Sequence, residues 1–554
     1  MKIIKLLVLV FFLFYSWTGR SQSYPLQITW STTDYHVSRE SFPFKLEDTG
    51  NKKIVAWRGE RISLKILVGS NFNDSEISFV VKEPEGCSWI DASTTGFLDY
   101  VMTDELNKEK TGGCGYRPDK TLFDSSLVAD RIVPMEKIKY QSKTVLPIWI
   151  TLEVPNDTET GVYQGSVEIR NNGSLCKVLP YSVRVLNRNL STQSKQKFHL
   201  DLWQNPFAVA RYAGVAVWSK EHFEVMRPLM ERLAKAGQKG ITTSITHKPW
   251  NAQTYDYFEN MITEIKRIDG SWSYDFTIFD QWVEFMQSCG VGPYIYCYSV
   301  IPWNLTFRYY DQRTNSMVDK KLDVKNPEFY NYWENKLKAF ASHLKSKGWF
   351  QNTIIAMDER PKESMEAALR VIRNADPEYK ISLAGVYHSE LNKDIHDYSI
   401  PYNDKYPDGV IEERRESGQI TTFYTCCSEP FPNTFTFSQP IEGAIFGPVA
   451  AERHLDGYLR WAYNSWVQYP NKDSRFHTWA AGDTFLVYPN NISSVRFEKI
   501  IEGIQLYEKI CILSSNSSRR IQLQEILKSF AHGKITADSA KKAMHRLRNY
   551  VNRD

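Results

Sequence analysis

The sequence lacks the short motifs that mark most nucleotide, zinc and serine-hydrolase sites. It has no Walker loop, no GxGxxG, no GxSxG, and neither the CxxC nor the HExxH spacing. Each of these motifs places backbone N–H groups, metal ligands or a nucleophile at fixed separations. Nucleotide chemistry, a zinc centre and a serine nucleophile on a strand-to-helix elbow are therefore without support. We expect no metal and no other cofactor.

Cysteine is also scarce, at 8 of 554 residues, which is too few for a disulfide scaffold in a chain of this length. Cys87 and Cys114 are candidates for one bridge within the N-terminal region. Cys426 and Cys427 are adjacent, and backbone geometry disfavours a bridge between neighbours. We therefore expect buried cores, rather than cross-links, to supply most of the stability.

No apolar run reaches the roughly 20 residues that a membrane-spanning helix needs. The run from Leu6 to Trp17 follows Lys2 and Lys5, which is typical of a secretory signal peptide, here residues 1–23. We therefore expect an exported protein, periplasmic or secreted, with no integral membrane segment after cleavage. Cleavage also removes Arg20, so that the 68 basic residues fall to 65 against 64 acidic ones. Such a neutral mature chain has no electrostatic basis for binding nucleic acid.

Aromatic residues, by contrast, are abundant, with 29 Phe, 31 Tyr and 16 Trp. Eleven of the 16 tryptophans follow residue 197. Large flat rings suit the apolar faces of sugars, although most rings in any protein pack in its core. The bias toward the C-terminal part fits a carbohydrate site there.

Residues 24–190 show the two-residue alternation of half-buried strands and no convincing helix. Ile62, Leu64 and Ile66 alternate with polar neighbours, and residues 146–154 do the same before a Pro-Asn-Asp turn. Short strands separated by turns predict an all-β sandwich domain.

From residue 198 to about 515, strand and helix patterns alternate, and residues 516–554 read as C-terminal helices. One amphipathic helix is indicated by apolar residues three and four apart, namely Phe329, Trp333, Leu337, Phe340 and Leu344. This alternation predicts a (β/α)8 catalytic barrel, with an open doubly wound sheet as the alternative. The predicted protein is thus multidomain: an N-terminal sandwich, a barrel and C-terminal helices.

The sharpest candidate site is Asp358-Glu359, two adjacent carboxylates after the apolar strand Thr353–Met357. Catalytic residues of a barrel lie where strands end at its carboxyl face. Neighbours in a regular strand point to opposite faces, so both enter one pocket only where the strand breaks into its loop. The alternative is a structural pair facing the N-terminus of a helix that begins at Pro361. Arg360, next to the pair, is expected to neutralise it.

Two carboxylates in a sugar-sized cleft indicate glycoside hydrolysis. Adjacent residues do not suit an acid and a nucleophile that approach the sugar from opposite sides. They suit a reaction in which the 2-acetamido group of the substrate is itself the nucleophile. Asp358 would then stabilise the acetamido nitrogen, and Glu359 would act as the acid and base.

At this pair the sequence resembles glycoside hydrolase family 123. The resemblance also rests on WRGE at 57–60, DGYLRWAYN at 456–464, AGDT at 481–484, VYP at 487–489 and RFE at 496–498. It covers nearly the whole mature chain. It implies a β-sandwich joined to a (β/α)8 barrel, and a retaining β-N-acetylgalactosaminidase that uses substrate-assisted catalysis on a glycan or glycolipid. The catalytic pair of the family falls on Asp358 and Glu359.

Seven further residues are candidates for contacting the sugar: His247, Tyr424, Trp461, Asn464, Trp466, Trp479 and Asp483. The Tyr hydroxyl could donate a hydrogen bond to the acetamido carbonyl, and the Trp rings could pack against the acetamido methyl or a face of the sugar. The His, Asn and Asp side chains could bind sugar hydroxyls. Each also has a structural interpretation, which is core packing for the rings and loop hydrogen bonds for the polar groups.

Two other functions stay open on the sequence. A non-catalytic carbohydrate-binding surface protein would keep the barrel without hydrolysing its ligand. A conventional glycosidase would place its second carboxylate elsewhere, for example at Asp483. The sequence predicts no oligomeric state.

Overall fold

The computed structural model describes residues 26–45, 50–71, 75–104, 114–115, 125–192 and 195–553. The predicted signal peptide lies outside these residues. The described chain folds into an all-β N-terminal region, a barrel of eight parallel strands and appended C-terminal helices. This architecture confirms the fold class that the sequence predicts.

The N-terminal region consists of two β-sheets that bury a shared apolar core. Their strands are β1 (Gln27–Ser31), β2 (Lys52–Arg58), β3 (Arg61–Gly69), β4 (Ser75–Lys82), β5 (Gly96–Thr103), β6 (Ser126–Val133), β7 (Lys137–Tyr140), β8 (Val145–Glu153), β9 (Gly161–Asn171) and β10 (Ser174–Asn189). One sheet has the order β1-β3-β8-β5-β6 and the other β2-β10-β9-β4-β7. Ile66 and Ile150 meet Val167 and Val183 across the core. The alternating residues of the sequence thus face inward, as predicted.

The barrel strands follow one another around the ring in chain order. They are β11 (His199–Leu202), β12 (Gly240–Ser244), β15 (Tyr294–Tyr298), β18 (Thr353–Met357), β19 (Lys380–Ala384), β20 (Asp397–Pro401), β21 (Ile420–Tyr424) and β22 (Gly457–Arg460). All their pairings are parallel, and Leu200 of β11 bridges to Gln238 just before β12. The ring is therefore nearly closed, which favours the barrel over the open sheet.

Helices cover the outside of the barrel. They are α1 (Pro206–Ala213), α2 (Lys220–Lys235), α3 (Thr277–Ser288), α4 (Pro327–Ser346), α5 (Lys362–Ala375), α6 (Val410–Glu416), α7 (Ile441–Glu452) and α8 (Val495–Leu513). Helix α4 shows why they form where they do. Asn326 caps its first turn, Pro327 occupies its first position, and its buried stripe includes Trp333 and Leu337.

The loops after β12 and β15 carry a small sheet that the sequence pattern does not reveal. Its strands are β13 (Thr263–Lys266), β14 (Trp272–Asp275), β16 (Thr306–Asp311) and β17 (Ser316–Lys321), in the order β14-β13-β16-β17. Many of their side chains are exposed, Met317 to 60%. Apolar alternation is confined to short stretches, such as Phe307 and Tyr309 of β16, which are too short to be recognised as strands from the sequence.

The C-terminal helices α9 (Ser517–Leu527) and α10 (Ala537–Val551) join the barrel to the sandwich. Arg548 of α10 pairs with Asp34 at 2.6 Å, and the Trp57 indole N–H donates to the Val551 carbonyl at 3.2 Å. The two-residue strand β23 (Ser493–Ser494) pairs with β6 of the sandwich. Among the described residues, no helix has the length and apolar character to cross a bilayer.

Candidate active site

Strand β18 carries Asp358 and Glu359 to the carboxyl end of the barrel. All five of its residues are buried between β15 and β19. The strand ends at Met357 and helix α5 begins only at Lys362, so the two carboxylates lie in the intervening loop. The strand alternation no longer forces them apart there, and both line the same cavity.

Asp358 is nearly buried, with 8% of the residue exposed, and each carboxylate oxygen has a partner. Oδ1 forms an ion pair with Nη2 of Arg360 at 2.8 Å, and Oδ2 accepts a hydrogen bond from the Trp303 indole N–H at 2.9 Å. Burial lowers the pKa of the Arg360 guanidinium, and the Asp358 charge opposes that shift. Arg360 thus balances the carboxylate charge, as the sequence suggests.

Glu359, in contrast, is exposed to solvent in the cavity. The Tyr424 hydroxyl, at the end of β21, donates to Glu359 Oε1 at 2.5 Å. Burial, followed by the charge of Glu359, raises the pKa of Tyr424 well above its ordinary value, so that Tyr424 keeps its proton. The two adjacent carboxylates therefore have different environments. Asp358 is buried and ion-paired, whereas Glu359 is exposed to solvent and hydrogen-bonded to the Tyr424 hydroxyl.

The cavity around the pair has a volume of about 420 Å³, within the usual range for small-molecule sites. Five tryptophans line it: Trp203, Trp250, Trp303, Trp461 and Trp479. The rings of Trp203 and Trp250 stack with centroids 5.0 Å apart. Among the residues that the structure describes, no cluster of His, Cys, Asp or Glu is suited to hold a metal ion.

Two family models match the chain. One is described as "Glycoside hydrolase 123, catalytic domain" and matches residues 203–513. The other is described as "Glycoside hydrolase 123 N-terminal domain" and matches residues 30–171. The catalytic-domain match alone covers more than half of the chain. This chain belongs to glycoside hydrolase family 123.

One solved structure agrees with this assignment over nearly its whole length. A family 123 glycoside hydrolase from Clostridium perfringens, whose structure was analysed for glycolipid glycan hydrolysis, is 25% identical with a TM-score of 0.85. The match covers 95% of this chain and 98% of that one. Two further structures are more distant. A Bacteroides ovatus GH5 xyloglucanase is 10% identical with a TM-score of 0.30, and the match covers 83% of this chain and 98% of that one. A Vibrio harveyi GH20 exo-β-N-acetylglucosaminidase is 8% identical with a TM-score of 0.28, and the match covers 92% of this chain and 98% of that one. No curated protein matches the chain significantly.

As a family 123 enzyme, the chain is a glycoside hydrolase, and Asp358 and Glu359 lie within its matched catalytic domain. Of the seven further residues predicted from the sequence, the structure brings four to the cavity: Tyr424, Trp461, Trp479 and Asp483. The rings of Trp461 and Trp479 meet edge to face at 5.8 Å, and the Trp479 indole N–H donates to the Gln253 carbonyl at 2.8 Å. These two rings form one wall of the cavity.

The other three predicted residues do not line the cavity, because each is used by a structural contact. Nδ1 of His247 lies 2.6 Å from the Glu259 carboxylate. The Asn464 side chain exchanges two hydrogen bonds of 2.9 Å with the backbone of Asn205, which caps α1. The Trp466 indole N–H donates to Val487 at 2.7 Å in the core. None of these three side chains is among the residues that line the cavity.

Three wall residues were missed from the sequence, namely Trp203, Trp250 and Trp303. Trp203 directly follows β11, whereas the other two lie in the loops after β12 and β15. A tryptophan soon after each of three barrel strands is a usable signal, because all eight strands end at the same face.

The sandwich side of the molecule also contributes to the cavity, through Cys114 and Gly115. Cys114 forms a disulfide with Cys427, 313 residues away, and its backbone pairs with Trp479. The suggested Cys87–Cys114 bridge is therefore wrong, since Cys87 is a free thiol. Cys426 stays reduced, and burial raises the pKa of its thiol to about 12. Sequence spacing does not reveal a bridge between residues that only the fold brings together.

Replacing Cys114 by Ser should weaken substrate binding more than it slows the chemistry. The lost bridge frees Cys427 and the backbone contact between residue 114 and Trp479, whereas Asp358 and Glu359 keep their own contacts. We expect KM to rise by roughly threefold to tenfold, equivalent to about 1 kcal/mol of ground-state binding, with kcat little changed. Steady-state kinetics measure both constants. Cys176→Ser, at an exposed free thiol, is the matched control, and equal kinetics in both variants would contradict a role of the bridge.

Proposed function

We propose that this family 123 enzyme is an exported, retaining β-N-acetylgalactosaminidase that removes terminal sugars by substrate-assisted catalysis. Glu359 is the acid and base, and Asp358 stabilises the acetamido group. The proposal rests chiefly on one observation, that adjacent carboxylates from a single strand end line one cavity. A retaining enzyme with its own nucleophile needs carboxyl groups about 5–5.5 Å apart on the two sides of the scissile bond. Neighbours in one short loop approach the sugar from the same side.

In the first step, the acetamido carbonyl oxygen attacks the anomeric carbon as the bond to the leaving oxygen breaks. Glu359 supplies the proton that the leaving oxygen takes up. Positive charge develops on the acetamido nitrogen in the resulting five-membered ring, and the Asp358 carboxylate accepts the hydrogen bond of its N–H. The buried position of Asp358 strengthens this interaction, because few water molecules compete.

In the second step, Glu359 is a carboxylate and takes a proton from water. The water oxygen attacks the anomeric carbon and the five-membered ring opens, restoring the acetamido group. Two displacements at the anomeric carbon give net retention. The exposure of Glu359 supports this double role, since the residue must meet both the leaving group and solvent.

The stacked pair of Trp203 and Trp250 suits the methyl group of the acetamido substituent. The stacked rings of Trp203 and Trp250 offer an apolar surface at the cavity, where a methyl group loses contact with water. The Clostridium perfringens relative is associated with glycolipid glycan hydrolysis. We accordingly propose the glycan of a glycolipid, or a related oligosaccharide, as the substrate.

A conventional mechanism with Asp483 as the second carboxylate receives little support. Asp483 does line the cavity, but its side chain is fully buried and pairs with Nη2 of Arg460 at 2.7 Å. A carboxylate in a tight ion pair is a poor nucleophile, because attack would leave the Arg460 charge buried and unbalanced.

A panel of three aryl β-glycosides tests the proposal: the N-acetylgalactosaminide, the N-acetylglucosaminide and the galactoside. The galactoside lacks the internal nucleophile, so its kcat/KM should be lower by a factor of about 1,000 or more. A thiazoline analogue of the cyclised intermediate should inhibit competitively. Full turnover of the galactoside would overturn the mechanism, and faster turnover of the glucosaminide would overturn the proposed sugar.

A further inference from the structure

We propose that Trp303 is a positioning residue whose indole N–H holds the Asp358 carboxylate in the orientation that receives the acetamido N–H. This inference rests on the proposed substrate-assisted function. Its basis is the 2.9 Å hydrogen bond from Trp303 Nε1 to Asp358 Oδ2, made by a residue on a different barrel loop. Neither Trp303 nor its loop belongs to the β18 segment that carries the catalytic pair.

The loop that carries Trp303 is anchored on both sides, although the residue itself is 44% exposed. The Trp303 backbone N–H donates to the Pro249 carbonyl at 3.0 Å, in the loop after β12. Nε of Arg360 donates to the Ile301 carbonyl at 2.8 Å, which ties the loop to the end of β18. The indole therefore presents its N–H from a fixed position rather than from a mobile surface loop.

Trp303 and Arg360 together fix the plane of the Asp358 carboxylate. Arg360 binds Oδ1 and Trp303 binds Oδ2, so that rotation of the carboxylate would break at least one contact. The Arg360 guanidinium also lies over the Trp303 ring, 4.3 Å from its centroid, so the cation and the ring support each other. Oδ1 has an ion pair but no hydrogen bond, and Oδ2 can accept a second one, so acceptor capacity remains for the substrate.

The benefit of this arrangement is largest in the transition state. The acetamido N–H becomes a stronger donor as the ring closes and positive charge develops, so a correctly oriented Asp358 stabilises the transition state more than the bound substrate. Loss of an interaction of this kind lowers kcat and leaves KM nearly unchanged.

Trp303→Phe tests the inference, because phenylalanine keeps a ring beneath Arg360 and removes the N–H. Hydrogen bonds to charged groups contribute about 1.5–3 kcal/mol, so kcat on the aryl N-acetylgalactosaminide should fall by roughly 10- to 150-fold. Trp349→Phe is the matched control, since Trp349 is a partly buried tryptophan outside the cavity with Lys347 4.6 Å from its ring centroid. Thermal unfolding of both variants checks that the ring replacement itself is tolerated.

A double-mutant cycle with Asp358→Asn shows whether Trp303 acts through Asp358. If it does, Trp303→Phe should cause no further loss of kcat in the Asp358→Asn background, and affinity for the thiazoline should fall in parallel with kcat. Additive losses, or a kcat of the single variant equal to that of Trp349→Phe, would overturn the role of Trp303. Wild-type activity that does not require the acetamido group would overturn the proposed function instead, so the two failures are distinguishable.

Discussion

Glu359→Gln should abolish the release of sugars from natural glycans while sparing much of the first step on activated aryl glycosides. A sugar alcohol leaves only when it is protonated, whereas a dinitrophenolate leaves without help. Loss of a general acid and base costs typically 10²- to 10⁴-fold, and we expect about a 10³-fold loss of kcat/KM on the poor leaving group. The activated glycoside should lose far less in kcat/KM. Parallel kinetics on the two substrates measure this difference.

Azide provides a second readout for the same variant. The small anion attacks the cyclised intermediate without needing a base, so azide should accelerate turnover of the activated glycoside and yield a β-glycosyl azide. Glu363→Gln, at an exposed residue paired with Lys325 across the surface, is the matched control and should behave like the wild type. Equal losses on both leaving groups, with no response to azide, would show that Glu359 is not the acid and base.

Arg460→Met should destabilise the fold strongly, because it leaves the Asp483 carboxylate buried without its ion pair. Both side chains of this pair are fully buried, and Arg460 also donates to Asn433 Oδ1 at 2.8 Å. Removal of one partner from a buried ion pair typically costs about 3–5 kcal/mol. The free energy of unfolding, from urea titration followed by tryptophan fluorescence, measures the loss.

Arg308→Met is the matched control for this prediction. Arg308 and Asp319 are equally close, at 2.7 Å, but their side chains are 35% and 49% exposed. An exposed pair contributes about 0–1 kcal/mol, so this variant should unfold close to the wild type. If both variants lost a similar free energy of unfolding, burial would not explain the contribution of the Arg460–Asp483 pair to stability.

Asp483→Asn separates this structural role from chemistry. The amide keeps the side-chain shape and an oxygen for Arg460, so a structural Asp483 predicts lower stability with turnover retained at low temperature. Loss of activity as complete as that of Asp358→Asn, in a variant that remains folded, would instead favour the conventional two-carboxylate glycosidase.

Much of the fold could be predicted from the residues, because its signals are local. The period-two alternation of Ile62, Leu64 and Ile66 reflects a strand, although β3 is buried on both faces from Leu64 onward. The stripe that includes Trp333 reflects a helix packed on a barrel. The small sheet of β13, β14, β16 and β17 was missed because its strands are short and partly exposed. The apolar alternation in such strands, as at Phe307 and Tyr309 of β16, is too short to distinguish them from loops.

Some residues of the site could likewise be predicted from the sequence, and others could not. Asp358 and Glu359 are joined by the chain itself, so a strand followed by two carboxylates is enough to predict that they share a loop. His247 and Asn464 are also polar residues near strand ends, yet His247 Nδ1 lies against Glu259 and the Asn464 amide binds the Asn205 backbone. A sequence does not show which neighbour will compete for a side chain.

Local patterns were enough to predict the order of the domains, the position of the carboxylate pair and the absence of the common cofactor motifs, since each depends on residues close together in the chain. The surroundings of that pair depend on contacts between distant parts of the chain. The Trp303 N–H on Asp358, the Tyr424 hydroxyl on Glu359 and the Cys114–Cys427 bridge join residues 55, 65 and 313 positions apart. These contacts exist only because the barrel closes into a ring and the sandwich packs against its carboxyl face.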